Sequence, residues 1–500
     1  MKTAIILTAL IALAGIAQAA SEKPLRQATS TELSTAQDRP NVLFIFADDQ
    51  SYETIGAYGL TDIDTPNLDR LVNEGASFSH AYNMGSWSGA VCMASRACLN
   101  TGSFLWQASD DARECAQGKR PTWSQLMAEQ GYQTYMSGKW HVGGVSAPKV
   151  FDRTGKVRAG MPKQKPAGYN RPKDEADYAT GWKPWDKAQG GFWEGGTHWS
   201  EVLANETVAY LQEQADSEQP FFMYVAFNAP HDPRQAPKEY IDMYPLERIQ
   251  LPENYIPKYP DQGPKGVPII RDEKLMPFPR TEFAVKVNRQ EYYASITHMD
   301  AQIGRILEAL EASGKADNTW IIFSADHGLS VGHHGLVGKQ NMYEDAMRAP
   351  FIVWGPGVEA GTKINAPIYI QDAMATALEI SGQAAPEFID YKSVLPLLDG
   401  RATQSYDKIY GAYINTQRMV LSGDWKLIAY PQLKKVKLFN VKKDPMEMHN
   451  LADNPEYAEK VQQLTAQLED SMDAMGDPMT SLAKADFPKA KGKKSGDGAH

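Results

Sequence analysis

The 500 residues carry 51 Lys and Arg against 61 Asp and Glu, a formal net charge of -10, which argues against a general nucleic-acid binder. A chain of this length exceeds what one hydrophobic core usually covers and predicts one large and one small domain. Past the first residues no stretch offers the roughly 20 apolar residues of a membrane helix, so no membrane span is expected.

The chain opens as a secretory signal, with Lys2, an apolar run from Ile5 to Ile16 and the cleavage site Ala17-Gln18-Ala19. Residues 1–19 are therefore expected to be a Sec-type signal peptide that directs export to the periplasm or medium, and 20–39 a disordered lead-in. Asn41 to Ala47 reads as a strand buried on both faces, ending in Asp48-Asp49. Thr65-Pro66 caps a helix carrying Leu68, Leu71 and Val72 that stops at Gly75. Next comes Ser86 to Gly102, where Cys92 stands four residues before Arg96. Cys92, Cys98 and Cys115 are the three cysteines, and in an oxidising compartment an odd count leaves one unpaired. A Cys98–Cys115 bridge, stabilising by roughly 3 kcal/mol, would single out Cys92.

Tyr132 to Met136 is a second strand, running into Gly138-Lys139-Trp140-His141. Ala204, Val208 and Leu211 mark a helix, and Pro220 to Phe227 a strand ending in Asn228-Ala229-Pro230-His231. Ile296, Met299, Ile303, Ile306 and Leu310 mark a longer helix, on whose apolar stripe His298 reads as a core residue. Thr319 to Ala325 ends in Asp326-His327-Gly328, and Pro350 to Trp354 in Gly355. Lys339 follows Gly338 in a tight loop, while His333 and His334 receive no role. Residues 383–407 read as a boundary, dividing a catalytic domain (40–395) from a C-terminal subdomain (396–480). Four short antiparallel strands (409–413, 419–421, 425–430, 437–439) and a helix with Val461, Leu464, Leu468 and Met472 build the latter. Residues 481–500 read as a disordered tail.

Alternating strands and helices predict an α/β fold: a large, mostly parallel sheet flanked by helices, with a smaller C-terminal α+β subdomain on a short antiparallel sheet. Ligands of such sheets bind beyond the carboxyl ends of the strands, where four of the five candidate strands deliver Asp, Lys or His. Asp48, Asp49 and Asp326 make a hard, oxygen-rich site suited to Ca²⁺ or Mg²⁺. Lys139, His141, His231 and Lys339 suit binding of a tetrahedral anion and proton transfer near neutral pH. Cys92 fits neither set as a thiolate, because sulfur prefers softer metals.

With these residues the chain resembles the formylglycine-dependent sulfatases of the alkaline-phosphatase-like superfamily, from Asn41 to about Asp477. Cys92-Met93-Ala94-Ser95-Arg96 followed by Leu99-Asn100-Thr101-Gly102 matches the family signature Cys-x-Pro/Ala-x-Arg with its Leu-x-Thr-Gly stretch. Asp48-Asp49, Thr65-Pro-Asn-Leu-Asp69, Gly138-Lys-Trp-His141, Asp326-His-Gly328, Gly338-Lys339 and Asp444 to Leu451 are similar to further landmarks. The resemblance implies that a maturing enzyme converts Cys92 to formylglycine (3-oxoalanine). It also implies that Asp48, Asp49, the modified Cys92, Asp326 and His327 hold one Ca²⁺; many members have Asn in place of His327. Arg96 would stabilise the alkoxide, Lys139 and Lys339 the transition state, His231 would protonate the leaving oxygen and His141 would act as base. Two departures are Ala94 for the commoner proline and Ser103 where many members have arginine.

The segment from Lys149 to Lys187 is basic, with ten Lys and Arg against five acidic residues, and Trp182, Trp185, Phe192, Trp193 and Trp199 follow closely. Aromatic faces and cations suit a sulfated oligo- or polysaccharide, with a marine galactan such as carrageenan as the expected type. Lys183, Trp185, Trp193, His198 and Arg234 are the expected rim, and the proline-crowded segment Arg234 to Glu291 is a second rim. Two rival readings are a phosphodiester or phosphonate monoester hydrolase of the same superfamily and a non-catalytic glycan-binding protein with unmodified Cys92.

Overall fold

The structure, a computed structural model, describes residues 39–163, 171–276, 278–479 and 481–482. The expected signal peptide, nearly all of the lead-in, and the tail beyond Leu482 lie outside the described residues.

The strands used below are β1 (Asn41–Ala47), β2 (Ala76–Phe78), β3 (Gly85–Ser86), β4 (Gln133–Lys139), β5 (Arg153–Arg158), β6 (Phe221–Ala226), β7 (Thr319–Ala325), β8 (Phe351–Trp354), β9 (Thr362–Ile364), β10 (Ile409–Tyr413), β11 (Gln417–Ser422), β12 (Trp425–Tyr430) and β13 (Lys435–Asn440). The helices are α1 (Pro66–Glu74), α2 (Val91–Thr101), α3 (Leu105–Ala116), α4 (Trp199–Gln214), α5 (Glu282–Ala312) and α6 (Ala458–Ala474). Eight strands form the main sheet in the order β9-β2-β8-β7-β1-β6-β4-β5. β1 pairs in parallel with β7 on one side and β6 on the other, and every residue of β1 is buried. That double burial explains its uninterrupted apolar run. The expectation of a large, mostly parallel sheet holds, with one correction: β8 runs antiparallel to β7 and β2, so its Gly355 end lies away from the ligand edge.

α1 stops at Gly75 as expected, but Thr65 makes no capping hydrogen bond. Asp300 on α5 does that work from outside, accepting from the backbone N–H of Leu68 (2.7 Å) and Asn67 (3.1 Å). These N–H groups would otherwise be orphans of the first turn.

The C-terminal sheet runs β13-β12-β11-β10-β3, and α6 covers it with Leu464, Leu468 and Met472 buried. Its last member, β3, comes from the other end of the chain and pairs in parallel with β10. The C-terminal sheet thereby includes the two residues that lead, five positions later, into α2 and Cys92. The three cysteines are free thiols, so no Cys98–Cys115 bridge singles out Cys92. Cys98 is fully buried in α2, its thiol pushed up to about 12 by burial, while Cys115 Sγ on α3 lies 3.7 Å from the Pro121 carbonyl oxygen.

Candidate active site

The order β7-β1-β6-β4 sets four strand ends side by side. β1 delivers Asp48-Asp49, β7 delivers Asp326-His327, β4 ends on Lys139, and the loop after β6 carries His231. Cys92 stands in the first turn of α2, 3% exposed. Asp48, Asp49, Cys92, Asp326 and His327 are all buried, with one potential ligand atom from each lying within 4.8 Å of the others. Cys92 Sγ lies 3.2 Å from His327 Nε2, 3.2 Å from Lys339 Nζ and 3.6 Å from Asp49 Oδ1.

The loop after β1 is held in an uncommon conformation. Asp49 has φ 71°, a value non-glycine residues rarely adopt. Its N–H donates to Asp326 Oδ1 (3.1 Å), and its carbonyl accepts from the Tyr292 hydroxyl (2.6 Å). The backbone is bent so that both carboxylates of the Asp-Asp pair turn toward the same point.

Cations surround these acids. Lys139 Nζ pairs with Asp48 Oδ2, and Lys339 Nζ lies 2.7 Å from both Asp49 carboxylate oxygens. Arg96 Nε donates to Asp326 Oδ2 (2.9 Å) and Nη1 to the Lys139 carbonyl (2.9 Å). Arg96 therefore braces two strand ends, while its Nη2 is buried without a hydrogen-bond partner, 3.9 Å from Asp48 Oδ1. Burial alone would raise the Cys92 pKa, yet Lys139, Lys339 and His327 draw it well below the thiol range. Burial likewise opposes charge on His327, but Asp326, Cys92 and Asp49 raise its pKa to about 9. Burial, outweighing Lys139, raises the Asp48 carboxyl well above the usual range. His141 lies outside this cluster, its φ 53° and its Nδ1 buried without a hydrogen bond. Burial and then Lys139 lower its pKa to about 4, which keeps the imidazole neutral and able to accept a proton.

The residues fit a hard divalent cation. Three carboxylates converge, and Asp48 Oδ1 is buried with no hydrogen-bond partner, a costly arrangement unless something positive fills it. Oxygen ligands suit Ca²⁺, and the imidazole of His327 completes the set with the Cys92 position.

The sulfatase family model matches residues 40–383, and the C-terminal model of N-sulphoglucosamine sulphohydrolase matches 332–474. The chain belongs to the sulfatase family. It is a sulfuric ester hydrolase, similar over 93% of its length to the N-acetylglucosamine-6-O-sulfatase of Bacteroides thetaiotaomicron (26% identity, 90% of that protein). Two solved structures share the fold. One, solved with its substrate D-glucosamine-2-N,6-O-disulfate, has a TM-score of 0.69 at 24% identity, covering 88% of this chain and 98% of that one. The other, a phosphonate monoester hydrolase from Silicibacter pomeroyi, has a TM-score of 0.71 at 21% identity, covering 87% and 96%.

The sulfatase's expected rim is differently engaged. Lys183 Nζ lies 4.3 Å over the Tyr178 ring, and Trp185 sits near Lys183 and Lys238 (5.8 and 5.4 Å). Trp193 pairs with His198 across a two-stranded ribbon. His198 is 1% exposed, accepts from the Ser200 N–H at the start of α4, and meets His298 edge-on at 4.7 Å. Arg234 is 1% exposed and donates to Asn288 Oδ1 (2.7 Å). His198 and Arg234 thus brace the wall from inside. His298 is buried as expected, 3.3 Å from Glu201.

Sequence reasoning missed the groups that hold the mobile-looking loops still. Asp232 Oδ1 lies 3.0 Å from His231 Nδ1, turning the other ring nitrogen toward Asp49 Oδ2 (3.8 Å). Glu273 accepts from the N–H groups of Val337 and Gly338, and Asp272 from Gln340, which together fix the loop of Lys339. The Pro230-His231-Asp232-Pro233 quartet was a readable signal for Asp232; nothing local marks Asp272 or Glu273.

Proposed function

We propose that this sulfatase hydrolyses sulfate esters on sulfated glycans with a formylglycine derived from Cys92 and one Ca²⁺ held by Asp48, Asp49, Asp326, His327 and the modified residue. The observation that carries this reading is the placement of Cys92, within reach of three carboxylates, an imidazole and Lys339 at one sheet edge. When bound, the cation polarises the sulfate oxygens as a Lewis acid, and the hydrated aldehyde supplies an oxygen nucleophile.

The chain's own side chains do the rest. Lys139 and Lys339 are 0% and 3% exposed, so water does not screen the charge they offer to the sulfate oxygens. His231, gripped at Nδ1 by Asp232, would give the leaving oxygen a proton from Nε2; burial opposes its charge, but Asp49 raises its pKa well above the usual imidazole range. Arg96 keeps Asp326 and the Lys139 strand end in register. His141, kept neutral by burial and by Lys139, would accept a proton.

The fold alone does not separate sulfate from phosphonate esters, since the phosphonate hydrolase shares it. A panel of 4-nitrophenyl sulfate, N-acetylglucosamine 6-sulfate, carrageenan oligosaccharides and phenyl phosphonate esters makes the distinction. Sulfate release from at least one sulfated sugar is expected, and turnover of phosphonate esters alone would overturn the reading. N-acetylglucosamine 6-sulfate comes first because a relative is named for it, with the galactan as the second arm. Export by the signal at residues 1–19 belongs to the same proposal and accords with scavenging of polysaccharide outside the cytoplasm.

Chelation supplies a second check. EDTA is expected to abolish turnover and lower the thermal midpoint, because the folded state loses a ligand shared by three buried carboxylates; added Ca²⁺ restores both. A midpoint insensitive to EDTA and Ca²⁺ would count against the cation.

A further inference from the structure

The rim beside His231 contains a cation that has no place in the reaction above. Resting on the assignment of His231 as the leaving-group acid, we propose that Arg271 is a specificity-determining residue that selects a leaving sugar carrying a second anionic group, a carboxylate or another sulfate, beside the scissile ester.

Among the described residues six charged side chains act on His231: Asp48 and Asp49 after β1, Asp232 in its own loop, Arg271 and Asp272 from the proline-crowded segment, and Lys339. Asp49, Asp232, Asp272 and Lys339 have side chains no more than 3% exposed. The Arg271 side chain is 39% exposed. Of these described charges, Arg271 is therefore the one that a bulky group entering from solvent meets first.

Its position relative to the chemistry follows from two distances. Arg271 Nη2 lies 3.4 Å from His231 Nε2, the atom that faces the leaving oxygen. A sugar whose ester oxygen hydrogen-bonds to that nitrogen has its neighbouring ring substituents one or two bonds away, within the span of a guanidinium. The guanidinium is also held in advance. Nη2 lies 3.1 Å from Asp232 Oδ1 and 2.7 Å from Asp272 Oδ1, so little rotamer freedom remains to be lost on binding. Planar guanidinium groups favour carboxylate and sulfate oxygens through charge-assisted hydrogen bonds.

The alternative is a purely structural Arg271 that only steadies Asp232. Two aryl sulfates separate the two roles: 4-nitrophenyl sulfate, and 2-carboxy-4-nitrophenyl sulfate, whose carboxylate sits next to the ester. The quantity read is the ratio of their kcat/KM values, compared between the wild-type enzyme and Arg271→Gln, so differences in intrinsic leaving-group reactivity cancel. The variant is expected to lower the ratio by roughly 10- to 100-fold, the value of one or two hydrogen bonds to a charged group, mostly through KM of the carboxylated ester. Arg271→Lys is expected to recover part of that preference. An unchanged ratio overturns the proposal, whether both rates fall together, as for a structural residue, or neither moves. A wild-type enzyme inactive on both esters and on sulfated sugars would instead sink the sulfatase chemistry on which the proposal rests.

Discussion

Cys92→Ala is expected to lower turnover of 4-nitrophenyl sulfate by about 10⁴-fold or more, the scale seen when a nucleophile is removed from a preorganised site. The variant should still fold. Cys92 is a small side chain, and the Arg96–Asp326 and Lys139–Asp48 pairs that hold the strand ends do not involve its sulfur. Cys98→Ala supplies the control, since it deletes the same atom six residues along the same helix, in apolar surroundings. It is expected to cost some stability and no activity. Loss in both variants would mean that the helix, not the nucleophile, is what activity depends on. The state of the residue is read separately, from the mass of the tryptic peptide ending at Arg96 from the native host. A loss of about 18 Da relative to cysteine marks conversion to the aldehyde nucleophile. An intact thiol in an active preparation would remove formylglycine from the reaction.

How much of this was legible in the sequence depends on the range of the cause. β1 and β7 were readable end to end because burial on both faces demands an unbroken apolar run, and their acidic endings stood immediately beyond it. The metal and nucleophile candidates therefore came from short words of sequence. β8 has the same composition as its neighbours, but its direction is decided by the chain path, so its antiparallel course was invisible. Asp272 and Glu273 carry no motif; they matter only because the segment around them folds back onto the Lys339 loop. His198 and Arg234 were drawn to the rim by their residue types, yet the structure spends them on a helix start and on Asn288. The cysteine count left the pairing open for a related reason: parity counts thiols, whereas pairing requires two side chains to meet, and all three are free.

The two-residue strand β3 is the least legible element and the one with the largest expected structural consequence. Gly85 has φ 85°, and a Cβ built there would lie 1.9 Å from the Ala412 carbonyl oxygen on β10. That contact is with backbone, so no side chain can swing away to relieve it. Gly85→Ala is therefore expected to destabilise by roughly 3 kcal/mol or more, the left-handed backbone and the overpacking adding together. Gly423→Ala isolates the first contribution, because Gly423 has φ 57° with nothing within 4 Å of the added Cβ. It should cost only about 1 kcal/mol. Denaturant unfolding of the two variants measures the difference, and equal losses would refute the packing account. The functional consequence follows from where β3 leads. Ser86 hydrogen-bonds through its carbonyl to the Ile414 N–H (2.7 Å), and its hydroxyl reaches the carbonyl of Ala90, the residue before α2 (3.4 Å). Parting β3 from β10 would release the start of α2, and with it the Cys92 side chain, from the edge where Asp49, His327 and Lys339 converge. Gly85→Ala should accordingly lose activity at temperatures where most of the protein remains folded, while Gly423→Ala keeps it.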